Sequence, residues 1–142
     1  ILSTRYLESI REREGGSYGV GCAGWMNRHP VHYAQLIMQF DTDPEKQEKL
    51  MNIIHEEVET IVENGPLAKD LQKEKESMLK DFEENLEKNG YWTDVLSVYY
   101  KNGINYITDY KAAVEAITAE TVQATLKELV EAGNVFEVVM LP

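Results

Sequence analysis

Cysteine is nearly absent: Cys22 is the single one in 142 residues. That excludes an internal disulfide, a Cys-x-x-Cys pair and a four-cysteine zinc site. Long apolar runs are missing too. No stretch approaches the ~20 residues a membrane-spanning helix needs. No basic start leads into an apolar core, so no signal peptide is visible. Positive charge is short, with 14 Lys and Arg against 25 Asp and Glu and a net charge of -11. This disfavours nucleic acid as a partner. An acidic surface attracts basic peptides at long range, and it also simply keeps a protein solvated. There is no Gly-x-Ser-x-Gly nucleophile elbow and no His-x-x-Glu-His zinc motif.

What is present suits a folded chain. Hydrophobic residues make up 43 %, enough for a core, and the 27 % charged residues are too few for disorder. The length fits one domain over 1–142. Residue 1 is Ile, and residues 1–14 already read as an amphipathic helix, with Leu2, Tyr6, Leu7 and Ile10 on one side and no capping residue before it. The expectation is a piece of something longer.

Gly15-Gly16 ends that helix. Residues 17–27 and 31–40 alternate as strands around the Asn27-Arg28-His29-Pro30 turn and predict an antiparallel hairpin. Asp43-Pro44-Glu45 is a helix start, with a capping side chain and proline in the first turn. Leu50, Ile53, Ile54, Val58, Ile61 and Val62 carry the helical period to Asn64-Gly65-Pro66. A charged helix opens at Leu67 and breaks at Asn89-Gly90. Further helices are expected over 91–100, from Tyr110 onward, and after a Thr118 cap. Residues 135–141 read as a final strand beside the hairpin. The fold class is α+β, a small antiparallel sheet of hairpin plus C-terminal strand packed against several helices.

Metal chemistry finds little support in this chain. His29 and His32 fall on a turn-to-strand boundary rather than one helical turn apart. His55-Glu56-Glu57-Val58-Glu59 has one histidine of a zinc helix and lacks the second, which leaves a solvated helix face as the better reading. Gly19-x-Gly21-x-x-Gly24 has dinucleotide-loop spacing, but it runs between strands, where no helix N-terminus can hold a phosphate.

The remaining candidate is Ile10-Arg11-Glu12-Arg13-Glu14-Gly15-Gly16-Ser17-Tyr18-Gly19-Val20. Arg11 lies in the last turn of the helix and Tyr18 at the head of the next strand. The glycines between them let the chain turn back, so both side chains can converge on one spot. Arginine offers a permanent cation with a fork of donors for carbonyl or carboxylate oxygens. Tyrosine offers a neutral donor to a developing oxyanion. The structural alternative is that Arg11 complements the helix C-terminus and Tyr18 packs in the core.

This segment resembles the signature of the C-terminal half of pitrilysin/insulinase-type zinc peptidases, where an arginine and a tyrosine seven positions later sit at a helix end just before the sheet. The resemblance runs on through Phe40-Asp41-Thr42-Asp43-Pro44-Glu45-Lys46, Glu63-Asn64-Gly65-Pro66, Asn89-Gly90-Tyr91-Trp92, Thr118-Ala119-Glu120 with Val122-Gln123, and Gly133-Asn134. It implies two homologous halves around a chamber, with zinc held by an inverted motif in the N-terminal half, whose glutamate is the base for the metal-bound water. The chain would then be a truncated C-terminal part, inactive alone, that binds peptide substrate for the zinc-bearing half or a homologous partner subunit. Arg11 would hold a peptide carbonyl, and Tyr18 would donate to the oxyanion or the neighbouring backbone. Gly19 and Gly21 would let an extended substrate approach the sheet. Two other readings stay open: a non-catalytic structural or regulatory subunit of the same family, and a free-standing α+β interaction domain.

Overall fold

A computed structural model describes residues 1–15, 17 and 19–140. Its architecture is α+β, with one two-stranded antiparallel sheet and six α-helices among the described residues. The chain divides into two compact units, Ile1–Pro66 with the chain from Glu120 onward, and Leu67–Ala119.

The first unit opens with α1 (Leu2–Tyr6), which continues without a break as a π-helix over Leu7–Arg13. A π-helix bonds i to i+5 and so has a wider turn than the 3.6 residues of an α-helix. Residues four and five apart are then neighbours on one face, and Tyr6 and Ile10 are both fully buried. Leu7, expected on the same side, is 38 % exposed, because the wider turn swings it out. Gly15 ends the helix at φ +54°, a left-handed conformation that glycine adopts without strain, and its N–H donates to the Arg11 carbonyl at 3.2 Å.

The hairpin pairs β1 (Val20–Asn27) with β2 (Tyr33–Phe40) in the register Val20 to Phe40, Cys22 to Met38 and Gly24 to Leu36. Val20, Cys22, Met38 and Phe40 share the face that packs on Tyr6, Ile10, Leu50 and Ile54. Pro44–Lys46 forms one 3-10 turn before α2 (Gln47–Asn64), whose Leu50, Ile54 and Ile61 are buried. Each such buried aliphatic side chain contributes about 1.5–3 kcal/mol. In α6 (Ala119–Glu131) Leu126 is buried, and Gln123 Nε2 donates to the carbonyls of Val62 at 2.9 Å and Glu63 at 3.0 Å. It thereby satisfies orphan acceptors at the end of α2.

The second unit holds α3 (Ala68–Asn85), α4 (Asn89–Asn102) and α5 (Tyr110–Glu115). Phe82 of α3 and Tyr110 of α5 stack with ring centroids 4.4 Å apart. Lys75 Nζ donates to the carbonyls of Glu115 and Ile117 at 2.7 and 3.0 Å, closing the end of α5.

Several boundaries differ from the sequence reading. The first strand begins at Val20 rather than residue 17. The Ser17 hydroxyl bonds locally to the Gly19 carbonyl at 2.8 Å and accepts from the Gly19 N–H at 3.2 Å, which competes with the ladder. The second strand begins at Tyr33, after a longer turn containing the cis His29–Pro30 bond. Asp43 makes no side-chain cap; its carboxylate lies 3.6 Å from Lys46 Nζ. Asn89-Gly90 sits in the first turn of α4, and the break falls just before it, where Trp92 Nε1 donates to the Leu86 carbonyl at 2.8 Å.

The expected final strand needs the clearest correction. Over residues 135–140 there is no strand, and Phe136, Val138 and Met140 are 84–91 % exposed; Leu141 lies outside the described residues. An alternating apolar sequence forms a strand only against a partner edge. No edge among the described residues pairs with this segment: the sheet contains only β1 and β2.

Candidate functional site

The junction between the π-helix and β1 carries the sequence's candidate residues. Arg11 lies in the last turn of the π-helix and is exposed. Among the described residues its side chain makes no hydrogen bond or ion pair. Tyr18, its proposed companion, lies outside the described residues. Gly19 and Gly21 flank the start of β1. A side chain built at Gly19 would meet nothing within 4 Å, and one at Gly21 would meet only the Gln39 carbonyl at 3.8 Å. Among the described residues, the space beside this backbone is therefore open.

The other two arginines of the opening helix are engaged. Arg5 Nε donates to Glu57 Oε2 at 2.8 Å, and Arg5 Nη2 approaches the same oxygen at 2.7 Å. Arg13 Nη2 lies 3.6 Å from Glu57 Oε1. Between them Ser9, also buried, donates to the Arg5 carbonyl at 2.8 Å. Arg5 lies at the end of α1, and Ser9 and Arg13 follow it in the π-helix; Arg5 and Arg13 both reach Glu57, whereas Arg11 does not.

Glu57 corrects the sequence reading, which placed it on a solvated helix face. It is 7 % exposed and enclosed by arginines. The signal was available. Leu50, Ile54, Glu57 and Ile61 follow spacings of four, three and four, so Glu57 stands in the buried stripe of α2. A carboxylate in such a stripe requires a cationic partner.

Next to this cluster Tyr6 Oη donates to the Ile54 carbonyl at 3.3 Å. Burial above all, then the neighbouring Cys22 and Glu57, push the Tyr6 phenol up. Burial likewise raises the Cys22 thiol, which lowers its fraction of reactive thiolate.

The histidines do not converge. His29 and His32 are exposed near the hairpin turn, and His55 Nε2 contacts Glu137 Oε1 at 2.7 Å. Among the described residues no three His, Cys, Asp or Glu side chains are grouped as metal ligands. The His, Cys, Asp and Glu side chains of the described residues do not converge in the threes or fours that a zinc site takes. No helix among the described residues is long and apolar enough to cross a membrane.

Comparison with known proteins decides the family. The sequence pattern described as Peptidase M16 inactive domain matches residues 1–78, more than half of the chain. The chain belongs to the peptidase M16 inactive domain family. The match covers the opening helix, the hairpin, α2 and the first part of α3, and so the whole Arg11 junction. It agrees with the resemblance to the C-terminal half of pitrilysin/insulinase-type peptidases.

Two solved structures are similar to it in fold. A peptidase M16 inactive domain from Pseudomonas fluorescens superposes with a TM-score of 0.72 at 20 % identity, over 87 % of this chain and 29 % of that one. The periplasmic protease PqqL from Escherichia coli superposes with a TM-score of 0.71 at 16 % identity, over 89 % of this chain and 14 % of that one. The chain thus spans less than a third of either protein. No curated protein matches it in sequence.

Proposed function

We propose that this M16 inactive domain is the substrate-gripping portion of a zinc-dependent peptidase, acting in a chamber it forms with a separate zinc-bearing half. The observation that carries the reading is the state of Arg11. Three arginines lie on one short helix; Arg5 and Arg13 face Glu57, whereas Arg11 is exposed with no partner among the described residues. A cation left available beside open strand backbone suits a peptide carbonyl, which accepts the guanidinium fork.

In this reading Arg11 holds a carbonyl of an extended peptide lying along the backbone at Gly19 and Gly21. Tyr18 donates to the oxygen that gains negative charge as the peptide bond is attacked, or to the backbone next to it. Zinc is held by the other half in this reading, since the sequence here carries no His-x-x-Glu-His motif. The chain alone is inactive.

Mixing the chain with its separately produced zinc-bearing half tests this. Cleavage of a peptide is expected from the mixture and from neither part alone. Tyr18→Phe in the mixture is expected to lose about 10²–10³-fold in kcat. An inactive mixture of folded, associated halves would favour the structural or regulatory subunit instead.

A further inference from the structure

We infer that Glu57 is a positioning residue: by holding Arg5 and Arg13 on one side of the π-helical turn, it fixes the direction in which Arg11 projects from another. This rests on the reading of Arg11 as the substrate-gripping cation.

The geometry has three parts. First, Glu57 is buried, and its two oxygens are divided between two cations, Oε2 to Arg5 at 2.7–2.8 Å and Oε1 towards Arg13 at 3.6 Å. Second, those cations bracket the helical segment that contains Arg11. Arg5 lies just before the π-helix and Arg13 is its last residue. Third, Ser9 lies between them and donates to the Arg5 carbonyl at 2.8 Å, which ties the start of the π-helix back to Arg5. Glu57 therefore secures the irregular segment at both ends, and π-helical turns are frequent at functional sites.

Stability alone explains this arrangement poorly. Buried ion pairs are often replaceable by apolar side chains without loss. Arg13 is 66 % exposed, and exposed pairs of this kind contribute little. What the second arginine supplies is a fixed helix end two residues beyond Arg11. A cation that must meet one carbonyl needs such a fixed origin, since misplacement by about 1 Å can cost about 10²-fold in rate.

The test uses the assembled two-half enzyme and peptide cleavage, with Glu57→Gln, Arg13→Gln and Arg11→Ala alone and combined. Glu57→Gln keeps the shape and removes the charge. It is expected to lower kcat/KM by up to about 10²-fold, divided between kcat and KM as for Arg11→Ala. In the Arg11→Ala background it is expected to add less than about twofold, because the two act as a unit. If the losses multiply instead, or if Arg11→Ala impairs cleavage while Glu57→Gln does not, positioning is refuted and the Arg11 reading stands. If Arg11→Ala has no effect, the site reading itself fails, and the positioning role with it. Should Glu57→Gln lose its cooperative melt, Arg13→Gln decides by the same comparison, since that exposed side chain can change without disturbing the core.

Discussion

Tyr6 and Ile54 join the opening helix to α2 through one buried hydrogen bond, from the Tyr6 hydroxyl to the Ile54 carbonyl at 3.3 Å. The Arg11 junction is built on this crossing, so its energetics set how firmly the junction is held.

Tyr6→Phe keeps the ring and removes the donor. It is expected to cost about 1 kcal/mol near neutral pH, read from the denaturant midpoint. The same variant probes alkaline behaviour. The folded phenol is raised above its unfolded value of about 10. The stability it contributes is therefore complete below about pH 10 and is lost as pH rises towards the folded value. Thermal midpoints measured from pH 9 to 12 should fall more gently in Tyr6→Phe than in the parent.

Glu57→Ala leaves Arg5, largely buried, without its carboxylate. A loss of about 3–5 kcal/mol is expected, against about 1 kcal/mol or less for Glu137→Gln, which removes the exposed partner of His55. Comparable losses for the two would mean that the Arg5–Glu57 pair is not buried in solution.

Gln123→Ala should cost about 1–2 kcal/mol, because two carbonyls at the end of α2 lose their donor. Gly65→Ala, at φ +75°, should cost about 1–2 kcal/mol through backbone strain. Urea unfolding of the two variants checks both values.

A double-mutant cycle on Phe82 and Tyr110, each changed to Leu, should show a coupling of about 0.5–1.5 kcal/mol for the stacked rings. Zero coupling would mean that α3 and α5 do not pack as described.

The hairpin and α2 were legible in the sequence because their apolar residues repeat at clean periods of two and of three to four. Val20, Cys22, Met38 and Phe40 face the core as alternation requires. Arg11 was legible as a candidate through its place before two glycines. The π-helix was not, because nothing in the residue types of Leu7–Arg13 distinguishes it from an α-helix. Glu57 was overlooked because its neighbours Glu56 and Glu59 are solvated and exposed. The last strand failed for a related reason. Residues 135–140 have strand composition, but a strand needs a partner edge, and composition does not supply one.

The central claim is that Arg11 grips the substrate, and Arg28, an exposed arginine after β1, is its natural control. The most direct measurement is kcat/KM for peptide cleavage by the assembled enzyme carrying Arg11→Ala or Arg28→Ala. The expected result is a loss of about 10–10²-fold at Arg11, the value of a charge-assisted hydrogen bond, with Arg28→Ala close to the parent. Equal values for the two variants would contradict the claim.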